Sequence, residues 1–295
     1  MVERRRLPAL AGLLAVALLV GPGPGADAAA DDPPEPHCSD DRAENICWVP
    51  PGDFWMGRTR LWLIDEIHWQ TRDRVDARPV HRVTLPGFWI DQQEVTHEAY
   101  REFTWSTGRP EPFHWRQGFP EAKGQFPVYN VDWSDASEYC AFRGKRLPTE
   151  AEWEKAARGG LVGAPWPWGG QYRPDPEEGA PEGTRVPPPA RIAHPGSPAD
   201  VASFPPNGYG LYDMVGNIAE WVADGYDLGY YAVSPLVEPR GPQDAPYRIF
   251  RGGSWADTDE RIASVFYRNF TRPDTRIHSI GFRCALDHPD QGDTE

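Results

Sequence analysis

Proline and glycine punctuate this chain along its whole length, with 33 Pro and 29 Gly among 295 residues, and from Trp48 to Asp287 the apolar stretches between them stay short. Proline removes a backbone donor and glycine weakens helix and strand interiors, so long helices and broad regular sheets are excluded. What remains is a fold of short elements joined by ordered loops. The 13 Trp supply large rings on which such loops can pack. The overall balance, 39% hydrophobic and 25% charged, is that of a globular protein and excludes collagen, coiled coil and disorder. No linker-like change of composition divides residues 48–288, which read as one domain.

Three helices are legible. Thr96 can cap one that runs through Ala99, Tyr100 and Phe103, and Ser134 can cap a second that holds Ala136, Tyr139, Cys140 and Phe142 and ends at Gly144. The third carries a capping box in Thr149-Glu150-Ala151-Glu152, an inner face of Trp153 and Ala156-Ala157, and a stop at Gly159-Gly160. Among the strands, Val80 to Leu85 alternates, Gly87 to Asp91 follows as its expected partner, and Arg248 to Phe250 leads into Gly252-Gly253. The stretch from Gly159 to Pro206, with Pro187-Pro188-Pro189 at its centre, reads as a long surface loop.

The N-terminus has a different texture. Arginines at positions 4 to 6 precede an apolar run from Leu7 to Val20, and small residues follow at Gly25 to Ala30. This is the pattern of a secretory signal peptide over residues 1–30. A bilayer span needs about 20 apolar residues, and this run breaks at Gly21-Pro22. Residues 31–47 then form an acidic, Pro-rich leader, and residues 289–295 a polar tail. A secreted or periplasmic location follows as the expectation, and it permits disulfides. The four cysteines, Cys38, Cys47, Cys140 and Cys284, allow three pairings. Cys38 and Cys47 could staple the N-terminus down. In that case Cys140 and Cys284 would close a long loop worth about 4 to 5 kcal/mol in the chain-entropy model. The 44 Asp plus Glu against 30 Lys plus Arg give a net charge of -14. So acidic a surface is repelled by nucleic-acid phosphates and by anionic lipid, so neither nucleic acid nor, after signal cleavage, membrane is expected as a partner.

Several blocks together resemble one family, that of the formylglycine-generating enzyme or sulfatase-modifying factor. They are Trp48-Val49-Pro50-Pro51-Gly52 with Met56-Gly57, Glu94-Val95-Thr96, Pro127-Val128, Val131-Asp132-Trp133, the run from Arg146 to Glu154, and Pro167-Trp168-Gly169. The run from Asn207 to Asn217, then Glu220-Trp221, Arg251-Gly252-Gly253-Ser254-Trp255 and Gly281-Phe282-Arg283-Cys284, complete the set in family order. The resemblance implies an α+β architecture, an elaborated C-type-lectin-like fold of the formylglycine-generating enzyme type, low in regular secondary structure. It also implies pairing of Cys140 with Cys284. It implies a structural calcium ion held by the side chains of Asp213 and Glu220 and the carbonyls of Gly216 and Ile218, oxygen ligands of the hardness calcium prefers. A second calcium site of the family would fall in the Pro-rich loop, where no ligands are apparent.

Members that make formylglycine oxidise a cysteine with copper(I) held by two thiolates, the soft ligands that ion needs. By offset, those positions fall here at Asp257 and near Ile262, and the run from Gly252 to Ile262 contains no cysteine. Copper is therefore not expected. A second branch uses nonheme iron on three histidines. The eight here, His37, His68, His81, His97, His114, His194, His278 and His288, show no pair three or four apart. Around the cleft implied by the resemblance fall Ser254, Trp255, Asp257, Arg268, Asn269, His278 and Ser279. Arg251 and Arg283 read instead as buried ion-pairing residues, and Trp133, Trp153 and Trp221 as core. Two functions fit this sequence: an exported binding or accessory module for a peptide, glycan or protein, and an altered nonheme-metal oxidase or protein-modifying enzyme of the family.

Overall fold

The computed structural model describes residues 35–39, 44–58, 76–169, 196–257 and 262–287. The expected signal peptide, the tail and the centre of the Pro-rich loop lie outside them. Among the described residues, ten short strands and three α-helices make an α+β fold. In chain order they are β1 (His37–Cys38), β2 (Ile46–Val49), β3 (Gly52–Met56), β4 (His81–Leu85), β5 (Phe88–Asp91), α1 (His97–Thr107), α2 (Trp133–Phe142), α3 (Glu150–Arg158), β6 (Ala219–Gly225), β7 (Arg248–Arg251), β8 (Asn269–Thr271), β9 (Ile280–Gly281) and β10 (Ala285–Asp287). One sheet runs β1-β2-β5-β10, a second pairs β3 with β4, and the third runs β8-β7-β6-β9 with β6 and β9 parallel. Among the described residues, no helix is long and apolar enough to cross a membrane.

The helix termini obey their caps. Thr96 accepts from the N–H of Ala99, and a left-handed Gly108 ends α1. In α3, Thr149 and Glu152 form the reciprocal capping box and Gly159 is left-handed. The start of α2 differs from the sequence reading: Asp132, not Ser134, is the cap, and it exchanges hydrogen bonds with Asp135. An ionised carboxylate accepts from an N-terminal amide more strongly than a hydroxyl does, and two residues are gained by the helix.

The expected pairing of Val80–Leu85 with Gly87–Asp91 is also corrected. β4 pairs with β3, and β5 lies in the other sheet between β2 and β10. The switch occurs at Pro86-Gly87, where Trp48 lies so close that a Cβ on Gly87 would stand 2.2 Å from the indole. The leader contributes to the fold as well. Its Cys38 and Cys47 face each other across β1 and β2 and are bonded. Cys140 on α2 is bonded to Cys284, their Cα atoms 5.6 Å apart. Two apolar clusters form the core. One centres on Trp153 and the inner faces of β2 to β5; the other, on Trp221, Tyr100, Tyr139 and Phe282, contains the Cys140–Cys284 bond. Trp153 and Trp221 are fully buried, and Trp133 is half-buried with its indole N–H on the carbonyl of Val222 at 2.8 Å.

Candidate functional site

The loop after β7 draws the expected cleft residues into two groups. Ser254 is buried, and its N–H and Oγ both donate to Oδ2 of Asp257 at 2.7 and 2.8 Å, closing a tight turn. The N–H of Trp255 donates to the carbonyl of Asn217, and the ring meets His278 at 5.4 Å, edge to face. Ser279 accepts from the N–H of Ala219 through its carbonyl. Thus Ser254, Trp255, Asp257, His278 and Ser279 gather where β6 and β9 begin and β7 ends.

Arg268 and Asn269 do not join them. Arg268 is buried, forked onto Glu150 at 2.7 and 3.0 Å and bonded to the carbonyl of Asp76. Asn269 opens β8, where its Oδ1 accepts from the N–H of Phe270. Arg251, as read from the sequence, is a buried ion-pairing residue, with Glu150 at 2.9 Å and Glu154 at 2.6 Å. Arg283 behaves alike: it forks onto Glu220 at 2.7 and 2.8 Å and donates to the carbonyls of Asp91, Gln92 and Tyr212. These contacts fix the loops rather than leave donors for a ligand.

The donor set at the cleft does not fit copper(I). All four cysteines are disulfide-bonded, and the stretch where the resemblance puts the family thiols, at Asp257 and near Ile262, contains no cysteine. A carboxylate is a hard ligand and an isoleucine is none, so no linear thiolate site can form from this chain's own residues.

Beside the cleft, the turn Asp213–Glu220 packs three carboxylates around one guanidinium. Left-handed Asp213, Gly216 and Asn217 (φ 54, 86 and 55°) turn the backbone sharply. Glu220, expected as a calcium ligand, has its charge matched by Arg283 and also accepts from the indole of Trp153 at 2.8 Å. Asp213 accepts from the N–H of Ala202 through Oδ2, and its buried Oδ1 meets no donor. Glu94 accepts from Nδ2 of Asn217 through Oε1, and its buried Oε2 likewise meets none. Glu94 and Asp213 adjoin, and burial lifts Asp213 to about 6 and pushes Glu94 well above the usual carboxylate range, with the charge of Asp213 adding to the latter. Arg283 forks onto Glu220 and pulls on the other two carboxyls only from farther off, while Asp213 and Glu94 lie within hydrogen-bonding reach of each other and can share a proton.

Such an arrangement fits a hard divalent cation, and the oxygens open to it are Oδ1 of Asp213 and Oε2 of Glu94. Among the described residues no three His, Cys, Asp or Glu side chains converge as a metal-binding group, so the remaining ligands would be backbone carbonyls of the turn, Gly216 and Ile218 included. Sequence reasoning did not single out Glu94. Its signal was an acid two residues before the α1 cap, in a segment otherwise destined for the core.

The histidines are less scattered than their spacing suggests. His97 and His114 meet with ring centres 5.2 Å apart, packed with Trp115 and Tyr129. The indole N–H of Trp115 donates to Nδ1 of His97 at 3.0 Å, so the neutral ring carries its proton on Nε2 and has no lone pair there for a metal. Burial lowers His97 to about 3, with His114 and Lys123 adding to the shift, and lowers His114 to about 4. His97 is buried and His114 half-buried, and both imidazoles are neutral at ordinary pH.

A family model, the sulfatase-modifying factor enzyme 1-like domain, matches residues 32–288. The chain is 35% identical over 259 residues to the formylglycine-generating enzyme of Streptomyces coelicolor, covering 71% of this chain and 81% of that protein. It is 37% identical over 291 residues to the mouse protein called inactive C-alpha-formylglycine-generating enzyme 2, covering 80% and 84%. Among solved structures, PvdO from Pseudomonas aeruginosa superposes with a TM-score of 0.64 at 27% identity, covering 82% of this chain and 94% of that one.

Proposed function

The chain belongs to the sulfatase-modifying factor family, and from that premise we propose that it is an exported member without formylglycine-generating activity, a calcium-stabilised module that binds a peptide, glycan or protein partner. One observation carries this reading: every cysteine is tied up in a disulfide, and none lies in the run from Gly252 to Ile262 where the resemblance puts the copper thiolates. Its likeness to the mouse protein named inactive supports a non-catalytic role. The arginine-led apolar N-terminus supports export, as do the two disulfides. Asp213 and Glu94, with carbonyls of the same turn, hold the calcium, and Glu220 holds Arg283. In this role calcium supplies no chemistry; it neutralises the buried carboxylates and locks the turn that carries Asn217 against Trp255. The partner surface is the cleft of Ser254, Trp255, Asp257, His278 and Ser279.

The test is direct. Copper-loaded protein is incubated under oxygen with a peptide carrying Cys-x-Pro-x-Arg and analysed by mass. No aldehyde above a control without protein is expected, and aldehyde formation overturns the proposal. Intact mass of the protein from its native host should place the mature N-terminus near Ala28 to Asp31, and retention of Met1 would refute export.

A further inference from the structure

At the C-terminal end of α3 lies a groove of ≈ 370 Å³ lined by Phe54, Trp55, Leu161, Val162 and Tyr209. Trp55, Leu161 and Val162 are exposed large apolar side chains, Val162 to 80%. Apolar surface gathered in a concavity marks a binding site more often than scattered exposure does. Lys155 also lines this groove, and it is only 5% exposed. Its Nζ donates to the carbonyls of Pro50 and Gly52, at 2.7 and 3.0 Å. Both acceptors are neutral, and an ammonium has three donors.

The nearby acids are engaged elsewhere. Glu154 serves Arg158, Arg251 and the N–H of Gly57, Glu152 serves Arg146, and Asp53 at the rim is held by Arg82 and Thr84. Arg158, the other buried cation of the groove, has Glu154 as its counter-ion. Lys155 is thus a buried charge with hydrogen bonds but no opposite charge, and burial alone lowers it to about 8. Buried charges are ordinarily paired, and Lys155 is part of the lining of the groove, where a bound acid would lie beside it.

We propose that this groove is a binding site for a small amphipathic carboxylate, an aryl or branched aliphatic acid whose carboxylate pairs with Lys155 and whose apolar body lies on Trp55, Leu161 and Val162. The volume is at the lower end of ligand pockets, which suits an acid of fragment size rather than a polymer. The site is separate from the cleft beside Trp255 and stands whether or not that cleft binds a partner. Desolvation makes the charge selective. A neutral analogue of the same shape gains the apolar contact but leaves Lys155 without a counter-ion.

The full exported chain is titrated with 4-phenylbutyrate and, in parallel, with 4-phenylbutyramide, followed by ligand-observed NMR. The acid is expected to bind at least tenfold more tightly than the amide. Val162→Glu, a change at an exposed position that leaves the core untouched, should weaken the acid more than fivefold. Lys155→Met should bring acid and amide within twofold of each other, and its thermal unfolding confirms that the variant is folded. Equal affinity of acid and amide in the parent protein overturns the proposal, as does no binding of either at millimolar concentration. Binding of the acid undiminished by Val162→Glu places it elsewhere and overturns the proposal as well.

Discussion

Lowering the pH should destabilise this protein through His97, and the size of the effect follows from its surroundings. His97 is fully buried, its Nδ1 accepts from Trp115, and burial holds its pKa near 3. In the unfolded chain the imidazole titrates near its ordinary value of about 6.5. Between those two values the unfolded state binds the extra proton, so stability rises with pH. The contribution of His97 is complete above about pH 6.5 and is lost as the pH falls toward 3. Each pH unit below the unfolded value costs about 1.36 kcal/mol, so at pH 5 the loss is about 2 kcal/mol relative to pH 7. The parent curve alone cannot reveal this, because Asp224, raised by burial to about 6, acts in the opposite sense. Its folded state binds the extra proton between its ordinary value and 6, so it gains stability as the pH falls through that window.

The assay is therefore a difference. Urea unfolding of the parent and of His97→Gln, which retains an acceptor for Trp115, is measured at pH 7 and pH 5. The parent should lose about 2 kcal/mol more than the variant between the two pH values. Equal losses would refute the assignment of His97 as a buried neutral group, as would an imidazolium signal from His97 in the folded protein at pH 5.

Further outcomes concern the turn, the staples and the packing. Chelation should lower the melting temperature, since an ion bound only to the native state stabilises it by about 2.7 kcal/mol at a hundredfold excess over Kd. Asp213→Asn and Glu94→Gln should each abolish that sensitivity, and without calcium Glu94→Gln should melt close to the parent at pH 7 because burial already favours the neutral form of Glu94. Replacing Cys140 and Cys284 by serine should cost about 4 to 5 kcal/mol in chemical denaturation, the loop entropy of a separation of 144 residues. Arg268→Met leaves Glu150 with Arg251 alone and should cost about 3 to 5 kcal/mol by the same measurement. Gly225→Ala, whose Cβ would stand 1.9 Å from the carbonyl of Pro242, should cost about 1 to 3 kcal/mol or more, read as a shift of the denaturant midpoint.

Local rules carried much of this fold. Caps and stops acting over three or four residues placed α1 and α3 from the letters alone, because Thr96, Thr149 and Glu152 satisfy donors within their own turn. The misread start of α2 is instructive, since Asp132 and Ser134 are both good caps and only the reciprocal bonds with Asp135 decide between them. Strand partnership was not legible. The alternation of β4 and the apolar run of β5 suit a hairpin, but Trp48, distant in sequence, packs on Gly87 and sends the two strands to different sheets.

The site divides along the same line. Asp213 and Glu220 both belong to one short motif, so a reading by motif treats them as equivalent ligands. Their charges part company only through residues brought from elsewhere: Arg283 meets Glu220 across 63 positions, and Asn217 meets Glu94 across 123. One guanidinium can match one carboxylate, and it forks onto Glu220. The deficit then falls on Asp213 and on Glu94, and two buried negative charges side by side require either protons or a divalent cation. At pH 7 Asp213, lifted to about 6, is largely ionised, whereas Glu94, pushed further up, holds its proton more readily, so on the proposed reading a bound cation would displace that proton. Calcium affinity should therefore fall as the pH drops below about 6, when Asp213 takes up a proton instead. Calorimetric titration of calcium at pH 7 and pH 5 checks this. An affinity that does not change between the two would mean that the ion, if bound, rests on carbonyls and Glu220 rather than on the unmatched pair.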